Sequence, residues 1–349
     1  MNWFRKQLQT QRTRFILLVT LVAVMLALPA FASEYILYML ISILFITLFS
    51  LGTNLLLGYT GLLSFGQAAF FGVGAFAAAR ILLVYPSMPL AILGGMAASA
   101  LAALIIGLIV VRHTAIYFTM LTLAFGMLFY EGVQKAELIL SYITGVEIPP
   151  ATVFGGAWGL LDIPRGTIFN LQMDSLVNYY YFTFIIAGIA IFLFYRLVHS
   201  PLGLSFQAIR DSESRVAFTG ISVRKHRLIC FVIAGVFAGL AGAIRTGVLG
   251  NVDPLVFHWS TSATPIVSTL LGGMYTFAGP IVGAAVYYII RDLVFRYTFV
   301  WQLAVGLVIV ALVLGLSGGI VGSFEQKLLP KLRARFAPDK NQKSGNTAY

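Results

Sequence analysis

Ser200–Gly220 reads SPLGLSFQAIRDSESRVAFTG, a polar run between two strongly apolar segments, Tyr179–Val198 and Leu228–Val248. Arg210, Asp211, Glu213 and Arg215 lie within it; Arg196 precedes it, and Arg224, Lys225 and Arg227 follow. The spacing predicts a short amphipathic helix. Leu204, Ala208, Val216 and Phe218 share a broad apolar side, with Arg210, Asp211 and Glu213 elsewhere. Pro201 and Gly203 punctuate its entry and Gly220 its exit. A helix of this kind, set between two membrane spans on a basic side, suits the docking of a soluble partner. The alternative is a helix lying at the lipid headgroups.

The flanking segments are typical of the chain. Of its 349 residues 59% are hydrophobic and only 10% charged, where a soluble domain carries roughly a quarter charged residues. A hydrocarbon core about 30 Å thick takes about 20 apolar residues per helix, and the apolar windows accommodate about ten crossings. They are too long and continuous for barrel strands. The fold class expected is therefore an all-α polytopic integral membrane protein.

The expected spans are Phe15–Ala32, Tyr35–Leu57, Gly66–Val84, Leu90–Val111, Ala115–Val133, Val177–Val198, Leu228–Val248, Thr261–Gly273, Ala278–Ile290 and Phe299–Gly319. They divide the chain into a basic N-terminal tail (1–14), a membrane domain (15–319) and a basic C-terminal tail (320–349). Within the membrane domain lie an external loop (134–176) and an internal loop (199–225). The formal charge of +11 is concentrated in the tails (Arg5, Lys6, Arg12, Arg14; Lys327, Lys331, Arg333, Arg335) and around Ser200–Gly220. The count of spans brings all of these to one side, the positive-inside pattern, with both termini cytoplasmic. The outer loop carries Glu137, Glu147, Asp162 and Asp174 against Lys135 and Arg165. Ala30-Phe31-Ala32 mimics a signal-peptidase site. The segment before it reads as a retained span, anchored by Arg12 and Arg14. Cys230 is the only cysteine, so no intrachain disulfide is available.

Two glycine-rich segments interrupt the apolar pattern, Gly58–Phe76 and Ser268–Ala284. They involve the third span of the first five and the third of the second five. Five is odd, so two five-helix halves would have inverted topology. Broken helices at matching positions of inverted halves point to a central binding site. The candidate path residues are Ser64, Gly66, Gln67 and Phe70 in the first segment and Gly272 and Gly273 in the second. The competing reading is close helix packing, as in Gly235-x-x-x-Gly239 and Gly279-x-x-x-Gly283.

Other chemistry is disfavoured. No lysine follows a glycine, so there is no phosphate loop of the Walker type. His113, His199, His226 and His258 are scattered, without metal-ligand spacing. Basic residues with interleaved aromatics, the mark of a nucleic-acid surface, do not occur. Gly315-Leu316-Ser317-Gly318-Gly319 matches G-x-S-x-G, but an intramembrane serine protease needs a histidine base inside another span. A passive channel or facilitator would not need the charged run at Ser200–Gly220. Arg80, Glu131, Arg245 and Arg291 all lie near span ends, which disfavours an ion-coupled carrier. Arg80 and Arg245 read as snorkelling residues.

Four of these segments together resemble the M-type permeases of branched-chain amino acid ABC importers. They are Ser200–Ile221 with Ala234–Ala243, the glycine-rich pair, and Gly155-Gly156-Ala157-Trp158-Gly159-Leu160-Leu161-Asp162-Ile163-Pro164. That family usually has arginine where Leu204 stands, and often a polar residue at the place of Trp158. The resemblance implies that Ser200–Gly220 contacts an ATP-binding subunit, through Leu204, Ala208, Arg210, Asp211, Glu213, Arg215, Val216, Phe218 and Gly220. It implies no cofactor in this subunit, with ATP bound by partners. Those partners are two ATP-binding subunits, a homologous second permease and an extracytoplasmic solute-binding protein, assembled in the lipid of a bacterial inner membrane. Branched-chain or other hydrophobic amino acids are the cargo expected; urea, short amides and aromatic carboxylates are the alternatives.

Overall fold

The computed structural model describes residues 20, 22–146, 153–168, 171–297, 300–315 and 318–323. Residues 15–19 and 21 of the first expected span, the N-terminal basic tail, the C-terminal tail from residue 324 onward, Glu147 and the Leu316-Ser317 pair lie outside the described residues.

Helix α1, Glu34–Asn54, continues as a π-helical stretch, Leu55–Thr60. Helices α2 (Gln67–Val84), α3 (Met88–Val110) and α4 (Ala115–Gln134) follow. Helix α5 (Ala136–Thr144) and a two-stranded hairpin, β1 (Thr167–Ile168) and β2 (Leu171–Gln172), lie in the stretch expected to be a plain outer loop. Next come α6 (Leu176–Val198), α7 (Pro201–Asp211), α8 (Glu213–Phe218) and α9 (Val223–Leu249). A 3-10 turn, Pro254–Phe257, leads into α10 (Trp259–Gly272), α11 (Gly279–Tyr297), α12 (Trp301–Gly315) and α13 (Gly319–Ser323).

Six of these, α1 with its π-helical end, α2, α3, α4, α6 and α9, are long and apolar enough to cross a membrane. With 14 residues, α10 is about 21 Å long, shorter than the hydrocarbon layer. Helix α11 runs seven residues past the expected Ile290, to Tyr297.

The spans form an inner and an outer set. In α1, α2 and α9 the apolar windows are 67–72% buried; in α3, α4 and α6 they are 22–33% buried. The outer helices present large apolar side chains such as Leu101, Ile105, Ile116, Ile189 and Phe192 to the lipid side. Small residues explain how the inner set comes together. Gly235, Gly239 and Gly242 recur along one face of α9. A Cβ at Gly235 would stand 2.5 Å from the Ala103 Cβ, one at Gly239 would overlap the Ser99 hydroxyl, and one at Gly242 would overlap the Phe71 carbonyl. Dispersion between closely approached backbones drives helix association in lipid, where the hydrophobic effect between helices is absent. Hydroxyls add directional contacts. Ser99 Oγ donates to the Phe70 carbonyl at 2.7 Å, and Thr246 Oγ1 to the Ala75 carbonyl at 3.1 Å.

Two chain ends of the bundle are distinguished by contacts between distant segments. At one end Thr167 donates to the Pro86 carbonyl from both its N–H and its hydroxyl, Leu160 and Val252 exchange backbone hydrogen bonds, and the Tyr35 hydroxyl bonds Asp292. At the other, Gly58 lies against Met274 and Gly273 against Gly319, close to α7 and α8. We call these the Trp158 end and the Ser200 end.

Candidate functional site

The first glycine-rich segment is a broken helix. After the π-helical turn the chain reverses at Gly61, whose φ of 72° is costly for other residues. It runs irregularly to Gly66 before α2 begins. Irregular backbone at this depth needs polar partners, and distant side chains supply them. Ser262 Oγ donates to the Phe65 carbonyl at 2.7 Å and accepts from the Ala68 N–H at 2.8 Å. Thr119 Oγ1 donates to the Leu63 carbonyl at 2.9 Å, and the Cys230 thiol to the Leu55 carbonyl at 3.4 Å. The second break follows α10, where Gly273 adopts a φ of 117°. Gly272 there is packed so closely on Gly279 that a Cβ would overlap its carbonyl.

The polar run at the Ser200 end is two helices rather than one. Ser200 caps α7, its Oγ accepting from the Gly203 N–H at 3.4 Å, with Pro201 in the first turn. At Ser212 the backbone is extended, φ −166° and ψ 101°, and α8 restarts beyond it. This break corrects the single apolar side expected from the spacing. Val216, expected to face a partner, is buried. Gly203, Phe206 and Ile209 form the inward face of α7. Leu204, Ala208, Asp211, Arg215, Phe218 and Gly220 are exposed, Phe218 at 92%.

Two of the charges turn inward. Arg210 Nη1 donates to the Gly58 carbonyl at 2.6 Å, and its guanidinium lies 5.2 Å from the ring centroid of Tyr275. One side chain therefore joins α7 to both helix breaks, while its other nitrogens reach Asp211 at 3.1 and 3.2 Å. Glu213 accepts two hydrogen bonds from the buried Arg227, at 2.9 and 2.7 Å, fastening α8 to α9. Asp211, although paired with Arg210, and Arg215 are the charges of the run whose side chains face outward.

At the Trp158 end a cavity of about 620 Å³ opens among α1, α2 and α10–α12. Phe45, Ile46, Phe49 and Phe71 line its apolar side; Ser260, Thr261, Thr264, Tyr287 and Gln302 line the polar side, with Arg245, Asp253 and Arg291. None of the six expected path residues lines it. Ser64, Gln67 and Phe70 are buried, Phe70 edge-on to Phe231 with centroids 5.2 Å apart. Gly66 packs against Thr122 of α4. The Gln67 amide is buried without a hydrogen-bond partner among the described residues. Arg245 was not anticipated here. It is paired with Asp253 rather than directed to headgroups, and the signal available was a single arginine in an otherwise apolar, glycine-rich helix.

Comparison with known proteins agrees with this architecture. The family model described as "Branched-chain amino acid transport system / permease component" matches residues 35–317. The high-affinity branched-chain amino acid transport system permease protein LivM of Escherichia coli (strain K12) is 30% identical over 262 residues, 70% of this chain and 60% of the relative. Its namesake in Salmonella typhimurium is 28% identical over 317 residues, 85% of this chain and 71% of the relative. The D-allose transport system permease protein AlsC of Escherichia coli is 30% identical over a shorter stretch, 39% of each chain. No solved structure gave a significant match. With the family model covering most of its length, this predominantly helical, multi-pass membrane chain belongs to the family of branched-chain amino acid transport system permease components.

Proposed function

We propose that the chain is one permease subunit of an ATP-driven importer of branched-chain and other hydrophobic amino acids. The observation that carries this reading is Arg210, which connects an exposed two-helix segment to both helix breaks. In that arrangement α7 and α8 dock an ATP-binding subunit through Leu204, Ala208 and Phe218. Motion of the docked subunit reaches the breaks through Arg210 and Phe206. ATP is bound and hydrolysed by two such partners; a homologous second permease completes the path, and a solute-binding protein delivers cargo. The names of the Escherichia coli and Salmonella relatives support the amino-acid cargo.

The distribution of lysine and arginine supports a cytoplasmic Ser200 end and cytoplasmic tails, in a chain proposed to lie in a bacterial inner membrane. On the opposite face the outer segment is pinned by the Leu160–Val252 ladder and leaves Trp158, Leu161 and Leu255 exposed. It is the surface offered to the binding protein.

Uptake by the co-expressed assembly decides the reading, using labelled leucine, isoleucine, urea, acetamide and benzoate with and without ATP. ATP-dependent uptake of leucine and isoleucine is expected. Uptake of urea or benzoate alone would reassign the cargo, and uptake independent of ATP would make the protein a facilitator.

A further inference from the structure

The cavity at the Trp158 end carries more than volume. Arg245 sits in the last two turns of α9, and Asp253 follows beyond the turn at Gly250. Their closest approach, Nη2 to Oδ2, is 3.7 Å, long for a charge-assisted hydrogen bond, which runs about 2.7–2.9 Å. Arg245 Nη1 and Asp253 Oδ1 are both buried and both without a hydrogen-bond partner among the described residues. Buried polar groups are normally satisfied, so a facing cation and anion with one open position each is a notable arrangement. Beside them the Phe49 and Phe71 rings stack with centroids 4.7 Å apart and, with Phe45, form an apolar side. The volume of about 620 Å³ is in the range of small-molecule sites, about 300–1,000 Å³.

We propose that this cavity holds a free amino acid as its zwitterion, Arg245 taking the carboxylate, Asp253 the ammonium and the Phe45, Phe49 and Phe71 side the aliphatic chain. This deepens the functional reading above and rests on it. The opposed charges select against the other cargoes. A plain carboxylate would meet Asp253 without an ammonium to offset it. Urea would leave the phenylalanine side uncovered. One wall is α10, whose far end is the break that Tyr275 and Arg210 join to the docking helix; the site is thus linked to the segment proposed to receive ATP-driven motion.

The test uses the complete assembly in proteoliposomes, with Cys230→Ser and a reporter cysteine at Thr264→Cys on the cavity wall. Modification by a charged methanethiosulfonate is followed with leucine, 4-methylpentanoate (no ammonium) or 3-methylbutylamine (no carboxylate) as protectant. Leucine should protect at concentrations at least about tenfold below either fragment, and Arg245→Gln or Asp253→Asn should raise its half-protecting concentration about tenfold or more. Arg245→Lys should restore part of the protection. Unchanged leucine protection in assembled Arg245→Gln, or equal protection by the fragments, overturns the proposal. If Arg245→Gln does not assemble, unchanged protection in Asp253→Asn and Arg245→Lys overturns it equally. Failure of the functional reading is seen separately, as absence of ATP-dependent leucine uptake by the unmutated assembly; normal uptake without protection at Thr264→Cys sinks the cavity proposal alone.

Discussion

Arg210 Nη1 donates to the carbonyl of Gly58 at 2.6 Å across 152 residues of sequence. A hydrogen bond from a charged donor contributes about 1.5–3 kcal/mol, and this one also places the guanidinium over Tyr275. Arg210→Ala should leave the permease assembled while lowering stimulated ATPase activity and uptake several-fold. Arg210→Lys keeps the charge but not the planar fork, and should recover only part of the loss. Equal activity of Arg210→Ala and the unmutated assembly in stimulated ATPase assays would remove Arg210 from the coupling route.

On the exposed side of the same helices, apolar area at about 25 cal/mol per Å² supplies most of the docking energy, and exposed ion pairs add about 0–1 kcal/mol each. Ala208→Glu and Phe218→Ala should therefore reduce co-purification of the ATP-binding subunit. Asp211→Asn should change it little. Quantitative pull-down from detergent extracts measures both, and retention of full stoichiometry by Ala208→Glu would give the surface back to the lipid headgroups.

Glu213→Gln leaves the buried Arg227 with a weakened partner. Glu213 is itself half-exposed, so the cost is that of a charged hydrogen bond rather than a fully buried pair, about 1.5–3 kcal/mol. A lower unfolding temperature in detergent is expected, measured by the fluorescence-detected elution profile after heating. Raising salt should not reproduce the effect, because the Arg227 end of the pair is screened from solvent.

Helix packing gives a fourth expectation. Gly242→Ala puts a methyl into the Phe71 carbonyl, and overpacking of this kind costs about 1–3 kcal/mol. Gly188→Ala in α6 meets nothing within 4 Å and should be neutral or stabilising by up to about 1 kcal/mol, from helix propensity alone. The same elution assay compares them, and equal losses in the two variants would contradict the packing described for α9.

Which of these features are legible in the sequence follows from what a linear pattern can encode. Long apolar runs such as Met88–Val110 declare themselves because the lipid demands length and hydropathy together. The glycine-rich breaks are visible for a similar reason, since Gly61 and Gly273 need backbone angles that other residues resist. The division of labour within Ser200–Gly220 is hidden. A helical wheel assumes one continuous helix, and the extended residue Ser212 rotates Val216 inward. Arg210 and Glu213 look alike as surface charges until Gly58 and Arg227 are brought up from elsewhere in the chain. Arg245 is obscured for the same reason: a lone arginine near a span end is normally a snorkelling residue, and Asp253 lies across a turn. Ser64 and Gln67 are visible as polar residues in a broken helix, but only the fold shows that both are buried there.

The broken helix at Gly58–Gly66 has a consequence for biogenesis. Its backbone carbonyls are satisfied by Thr119, Arg210 and Ser262, side chains synthesised between about sixty and two hundred residues later. During membrane insertion α1 and α2 therefore emerge before the distant side chains that satisfy this backbone have been made. They must wait in the insertion machinery, or beside water, until α10 arrives. A chain truncated before Trp259 would never close that segment. The Phe65 carbonyl and the Ala68 N–H would lack the hydroxyl that satisfies both, so closure of this segment depends on the order in which the helices are made.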